Sequence, residues 1–281
     1  MIHQAPRPLP FLLRLLVAAM LLGSLLAPPT GWALEKIPDR LVVLTFDDSV
    51  ASHATFVAPL LKKYGFGATF FITEGFEFTT DKEHYMTWEQ IEALHRDGFE
   101  IGNHTRAHKA VDSQDAPNLV SDIAYIEEQC QKRSIPVPTS FCYPGYRTSP
   151  GAVQALLHRG YRFARAGGNR CYDPTQDHPL TLPQAFDGKP HCTPELFAKA
   201  IEGARDGKIA ILTFHGVPDI RHPWVSTECE KFEAYMAHLH AQGCRVIALR
   251  DLSRYVAGGA AWTRPEAPSP GTPEPSPTQP R

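Results

Sequence analysis

The chain has 281 residues, 43% of them apolar and 21% charged, and a formal net charge of −2. Its lysines and arginines are scattered, which excludes the clustered basic face that nucleic-acid binding requires. Length and apolar content fit one large α/β domain, and the partner is expected to be neutral or mixed in charge.

At the start, Arg7 and Arg14 surround a proline-containing stretch, the apolar run Leu15 to Ala27 follows, and then the small-x-small pattern Gly31-Trp32-Ala33. This layout reads as a secretory signal peptide over residues 1–33. The run is shorter than the roughly 20 residues of a membrane helix. No stable membrane span is therefore expected after cleavage, and the mature protein is expected to be exported, either periplasmic or secreted. All six cysteines lie beyond the leader (Cys130, Cys142, Cys171, Cys192, Cys229, Cys244). An even count in an exported protein is compatible with disulfides. A Cys171–Cys192 bridge closing one loop is the expected pairing, and the lack of a CxxC pair argues against a structural zinc knuckle.

Strand and helix signals then alternate between Ile37 and Val256. Short apolar or β-branched runs predict strands at Leu41–Phe46, Ala68–Ile72, Phe99–Asn103, Ser140–Tyr143, Tyr161–Ala164, Ile209–Phe214 and Arg245–Leu249. Thr87 with Gln90 and Thr227 with Glu230 read as capping boxes. Ser149-Pro150 and Thr193-Pro194 place a capping hydroxyl before a first-turn proline. Over Trp88–Asp97 the spacing turns Ile91 and Leu94 inward. Repeated βα units predict a parallel sheet, and seven of them approach a closed barrel. The catalytic domain is expected over residues 34–257 and a disordered tail over 258–281. From Pro265 to Arg281 that tail holds seven prolines and nothing apolar larger than Ala267, too little to offset its ordering entropy.

In parallel α/β folds chemistry gathers at the carboxyl ends of strands. Here Asp47 and Asp48 follow the first strand and His104 the third. Tyr143-Pro144-Gly145 follows the fourth, and His215 the sixth. His104 and His108 converge if the chain turns helically after Asn103. Asp48 then completes a two-histidine, one-carboxylate set for one divalent cation with positions left open for water. No glutamate follows His104, so the zincin pattern does not apply. Taken singly, an Asp-Asp pair is often a loop cap and HxxxH is common on helices. At matching strand ends the combination reads as a metal-dependent hydrolase. Asp47 is the expected general base, kept ionised by the neighbouring cation. His215 is the expected general acid, and a backbone N–H near Gly145 the expected oxyanion donor. Tyr143, Tyr146 and Trp224 are candidate sugar contacts, each equally readable as a rim or loop anchor. His53 and His95 read as surface helix residues, and Cys142 as buried or bridged rather than nucleophilic.

Thr45-Phe46-Asp47-Asp48, His104-Thr105-Arg106-Ala107-His108, Phe141-Cys142-Tyr143-Pro144-Gly145-Tyr146 and Phe214-His215-Gly216 resemble, in order, the motifs of the polysaccharide deacetylases. That group is carbohydrate esterase family 4, with its chitooligosaccharide deacetylase homology domain, and the resemblance covers about residues 38–250. It implies a distorted (β/α)7 barrel and metal-dependent removal of N- or O-acetyl groups from a glycan of chitooligosaccharide, peptidoglycan, exopolysaccharide or xylan type. It also implies Asp47 as base, Asp48, His104 and His108 as ligands, and His215 as acid. Zinc is the cation it implies, although other divalent metals serve. Two departures stand out. Many members carry an arginine in the third motif to orient the base, where this chain has Cys142; Arg147 and Arg165 are candidates to replace it. The fourth-motif Asp-Trp is absent, with Arg165 and Asp173 as nearby candidates for tuning His215. Two alternatives share the fold: a cyclic amide hydrolase, disfavoured by export, and a non-catalytic carbohydrate-binding module of the cell envelope.

Overall fold

A computed structural model describes residues 33–263 of the protein; the expected leader, apart from Ala33, and the tail beyond Thr263 lie outside the described residues. Among the described residues there are eight strands: β1 (Leu41–Phe46), β2 (Thr69–Ile72), β3 (Glu100–Asn103), β4 (Ser140–Cys142), β5 (Phe163–Arg165), β6 (Phe186–Asp187), β7 (Ala210–Phe214) and β8 (Arg245–Ile247). Six α-helices alternate with them: α1 (Ala58–Tyr64), α2 (Trp88–Arg96), α3 (Ala116–Lys132), α4 (Pro150–His158), α5 (Pro194–Glu202) and α6 (Cys229–Ala241). Every strand pairing is parallel, in the order β5-β4-β3-β2-β1-β7-β6, with β8 beside the first half of β1.

Strand β1, Leu-Val-Val-Leu-Thr-Phe, is buried throughout, as a central parallel strand covered on both faces must be. Its period-two alternation sorts the core. Val42, Leu44 and Phe46 join a shell with Leu61 of α1, Ile91 of α2 and Phe232 of α6. Leu41 and Val43 join an inner cluster with Phe71, Phe163, Ile211 and Ile247. Continuing the inner alternation through Thr45 brings Asp47 to the mouth of the barrel. Phe46 fixes the shell there, with ring centroids 5.0 Å from Phe70 and 5.7 Å from Phe214.

The barrel is distorted at one seam. Between β5 and β7 the sheet is completed by irregular chain at residues 179–188, which carries the two-residue β6. On one side the Ala164 N–H donates to the Pro179 carbonyl at 2.8 Å and the Ala166 N–H to that of Leu182 at 2.8 Å. On the other, the Ala185 N–H donates to the Ile211 carbonyl at 2.7 Å. β6 carries no strand signal of its own, because two residues are too few to show a period.

The caps follow local chemistry. Thr87 and Gln90 form the expected capping box on α2, and Ser149 and Thr193 cap α4 and α5 through the N–H groups of Ala152 and Leu196. Thr227 does not cap α6: the helix starts after Glu228 without a side-chain cap, and the Thr227 hydroxyl is buried without a partner. The expected Cys171–Cys192 bridge is absent, and all six cysteines are free. The two sulfurs are committed elsewhere: the Cys171 thiol faces the Ala200 carbonyl at 3.4 Å and the Cys192 thiol that of Asp187 at 3.0 Å. Past residue 257 the chain continues into a 3₁₀ turn, Gly259–Ala261, whose Gly259 N–H donates to the Arg162 carbonyl at 2.8 Å. Among the described residues no helix is long and apolar enough to cross a membrane.

Candidate metal centre

The first carboxylates are placed by a sharp exit from β1. The Asp47 N–H donates to the Phe214 carbonyl at 3.0 Å, continuing the ladder with β7. Asp48 and Ser49 then take positive φ values of 73° and 57°, a left-handed conformation that costs non-glycine residues about 1–2 kcal/mol each. Ser49 holds the turn: its hydroxyl donates to the Thr73 carbonyl and accepts from the Thr73 N–H, both at 2.9 Å. Such strain, fixed by surrounding bonds, is typical of functional turns.

His104 continues β3 through its N–H, which donates to the Ile72 carbonyl at 2.9 Å. Its Nδ1 lies 2.8 Å from the Cys142 carbonyl. A carbonyl only accepts, so Nδ1 carries the proton and the Nε2 lone pair is free for a cation. The expected helical turn from Asn103 to His108 does not form. Thr105 and His108 instead have φ of 63° and 53°. The loop is cross-braced, with Asn103 Oδ1 accepting from the Thr105 N–H at 2.9 Å and the Thr105 hydroxyl from the His108 N–H at 3.1 Å.

These elements bring Asp48, His104 and His108 together. Asp48 Oδ1 lies 3.4 Å from His104 Nε2 and 3.1 Å from His108 Nε2. The three donor atoms lie within 4.8 Å of one another, and the buried Oδ1 makes no hydrogen bond. An orphaned carboxylate oxygen facing two imidazole nitrogens fits a divalent cation of the zinc type. A second set, Asp47, His104 and Cys142, is equally compact. It does not fit a cation, because the Arg165 guanidinium already contacts both Asp47 and Cys142.

That guanidinium resolves the third-motif departure. Arg165 rises from the end of β5, is fully buried, and pairs with Asp47 Oδ2. Cys142, on the neighbouring β4, leaves the space that the arginine fills. Gln184 Oε1 accepts from Arg165 Nη1 at 2.9 Å and from the Thr213 hydroxyl at 2.7 Å, fixing it from behind. Arg147 is instead committed to Asp112 at the surface. Burial pushes the Asp47 carboxyl pKa up, but the Arg165 guanidinium and the His104 and His215 imidazoles outweigh it and hold it below the usual carboxylate value. With Oδ2 occupied by Arg165, Asp47 Oδ1 is buried without a partner.

His215 stands across the mouth, its Nε2 3.9 Å from Asp47 Oδ2 and from Asp48 Oδ2. The carboxylate behind it is Asp187 of β6, with Oδ1 3.9 Å from His215 Nδ1. Asp173, the sequence candidate, caps its own loop through Thr175. Asp187 Oδ2 accepts from the Tyr146 hydroxyl at 2.9 Å and pairs with Lys189 at 2.8 Å. Nothing in the sequence marks Asp187, because its strand is the one without a periodic signal.

A cavity of about 250 Å³ joins Asp47, Asp48, His104, His108, Gly145 and His215. Gly145 adopts φ 60° in the Pro144–Tyr146 turn. Tyr146 and Trp224 also line the cavity, as do Phe76, Lys189 and His222, which the sequence reading did not single out. Tyr143 borders the cavity as well, fully buried, with its hydroxyl donating to the Leu180 carbonyl at 2.8 Å.

His53 is likewise not a surface residue. It is fully buried in a single π turn against Phe46, and its Nε2 lies 3.0 Å from the His215 carbonyl. Burial lowers its pKa from 6.5 to about 4. The unfolded chain therefore binds a proton near pH 6.5 that the folded chain refuses until about pH 4, so this group removes stability as pH falls through that window. The loss amounts to about 3 kcal/mol at 1.36 kcal/mol per pKa unit. Urea midpoints in chelator at pH 7 and pH 4.5 should fall much further for the wild type than for His53→Gln; equal falls would refute the assignment.

Known proteins resemble this chain in sequence and in fold. The polysaccharide deacetylase family model matches residues 35–164. The chain is 26% identical over 161 residues to a chitin deacetylase of Pestalotiopsis sp, covering 54% of this chain and 53% of that protein. It is 26% identical over 137 residues to the peptidoglycan-N-acetylglucosamine deacetylase of Bacillus cereus, covering 48% of this chain and 61% of that one. The matches thus span only about half to three-fifths of these relatives. A family 4 acetyl xylan esterase from Clostridium thermocellum, solved with a cobalt ion, superposes with a TM-score of 0.53 at 26% identity, covering 75% of this chain and 89% of that one.

Proposed function

We propose that this chain, a relative of the polysaccharide deacetylases in sequence and fold, is an exported metal-dependent hydrolase that removes acetyl groups from a glycan. The single observation that carries this reading is the buried, unpartnered Asp48 Oδ1 facing His104 and His108, beside an Asp47 whose second oxygen is also free. Export rests on the amino-terminal pattern alone.

Asp48, His104 and His108 would hold one divalent cation, which supplies Lewis acidity toward water and the acyl oxygen. Asp47 Oδ1 accepts the proton of the attacking water, and Arg165 keeps Oδ2 out of that role. The Gly145 N–H, in its left-handed turn, donates to the oxyanion as it forms. His215 Nε2 delivers a proton to the departing nitrogen or oxygen while Asp187 backs the ring from Nδ1. Tyr146 and Trp224 form part of the wall against which the glycan lies.

Acetate release should be assayed on acetylated chitooligosaccharides, peptidoglycan fragments, acetylxylan and poly-N-acetylglucosamine. Stripping the cation with a chelator should abolish turnover, a loss of at least about 100-fold given the size of Lewis-acid contributions, and zinc or cobalt should restore it. A protein shown to carry metal that releases acetate from none of these glycans would end this reading.

A further inference from the structure

One wall of the catalytic cavity is built from side chains of two loops that neither hold the cation nor move a proton. The loop after β2 presents Phe76, 43% exposed and at φ 57°; the loop after β7 presents His222 and Trp224, the latter 66% exposed. Their rings form a continuous file leading outward from the metal ligands. Phe76 lies 4.6 Å from His108 and 4.7 Å from His222, and His222 lies 5.3 Å from Trp224. Arg221 ties the two loops through Glu77 at 3.5 Å and Asp81 at 3.7 Å.

His222 is held from behind by a carboxylate. Asp219 is 2% exposed; its Oδ1 accepts from the His222 N–H at 2.8 Å and lies 3.4 Å from His222 Nδ1. Asp219 Oδ2 is buried without a partner. Gly216 makes room for this packing, since a Cβ there would fall 2.6 Å from Asp219. With Nδ1 turned toward Asp219, Nε2 is the ring nitrogen left for the cavity that His222 lines.

Rings of this kind take the apolar face of a pyranose, and a fixed imidazole takes its hydroxyls. We infer that Phe76, His222 and Trp224 form the subsite for the sugar next to the acetylated one, with His222 as its hydrogen-bonding group and Asp219 as the positioning residue. This deepens the deacetylase reading and rests on it for the identity of the occupant. It makes the protein an oligomer-selecting enzyme, because a lone monosaccharide leaves the file uncovered.

Calorimetric titration of the full, zinc-loaded chain carrying Asp47→Asn, which lacks the base but keeps the cation donors, tests the inference without turnover. The probes are tetra-N-acetylchitotetraose, acetylated xylotetraose and a disaccharide muropeptide, each against its own monosaccharide. Phe76→Ala, Trp224→Ala and His222→Ala should each raise the Kd of the preferred oligomer about three- to tenfold, the size expected for one aromatic or polar contact. The preference for oligomer over monomer should collapse, and His222→Gln should recover most of it. In acetate release the same substitutions, made with Asp47 intact, should raise KM with little loss of kcat. Unchanged oligomer affinity in all three alanine variants, no recovery in His222→Gln, or no binding of any probe by the Asp47→Asn chain would overturn the subsite. Binding that depends on these residues without any acetate release by the wild type would instead overturn the deacetylase reading and leave the subsite standing.

Discussion

Asp47→Asn is expected to lower kcat by about 10²–10⁴-fold, the usual contribution of a positioned general base. The amide keeps the shape of the side chain and a carbonyl oxygen for Arg165, yet has no basic lone pair comparable to that of Oδ1. The cation donors are untouched, because Asp47 shares no atom with the Asp48, His104 and His108 set. Metal content measured by atomic absorption and oligosaccharide Kd should therefore stay near wild type while acetate release collapses. A variant that retains more than about a tenth of kcat would remove Asp47 from the proton-transfer role, since even the low end of the range is larger.

Arg165→Met should be the most damaging change to stability at the site. Its guanidinium is fully buried and its burial is matched by the Asp47 carboxylate. Removing one partner of a buried ion pair typically costs about 3–5 kcal/mol, because the other charge is left uncompensated. The base also loses the group that holds Oδ2, so activity should fall with stability. The double variant Arg165→Met with Asp47→Asn separates the two effects. With no charge left unpaired, its loss in urea unfolding should be clearly smaller than the sum of the single losses. Simple additivity would mean that Arg165 stabilises the barrel by packing alone.

Much of this site could be read before any coordinates, and the reason is local. Asp47-Asp48 and His104 lie at the ends of strands whose apolar runs stand out, so alternation alone brings them to one rim. The partners were harder to read because they act across the barrel, and the resemblance left Arg165 and Arg147 as equal candidates to hold Asp47. Arg165 and Asp47 are 118 positions apart, and no spacing rule links a β5 arginine to a β1 carboxylate. Asp187 was hidden for a different reason, lying on a strand of two residues inside irregular chain. His53 misled because a histidine beside a helix start resembles a solvent-facing residue, whereas here the π turn rolls it beneath His215. The HxxxH spacing anticipated the convergence of the two imidazoles but not the backbone that achieves it: braced left-handed loop residues, rather than a helical turn, bring both to Asp48.

The seam between β5 and β7 makes the two halves of the site mechanically unequal. Asp47 and Asp48 issue from the most deeply sandwiched stave, flanked by β2, β7 and β8. Asp187 hangs from a short stitch with few ladder bonds, where local opening costs least. Under the proposed mechanism, changes in the length or sequence of residues 179–188 would thus retune proton delivery to the leaving group while the grip on the cation is preserved.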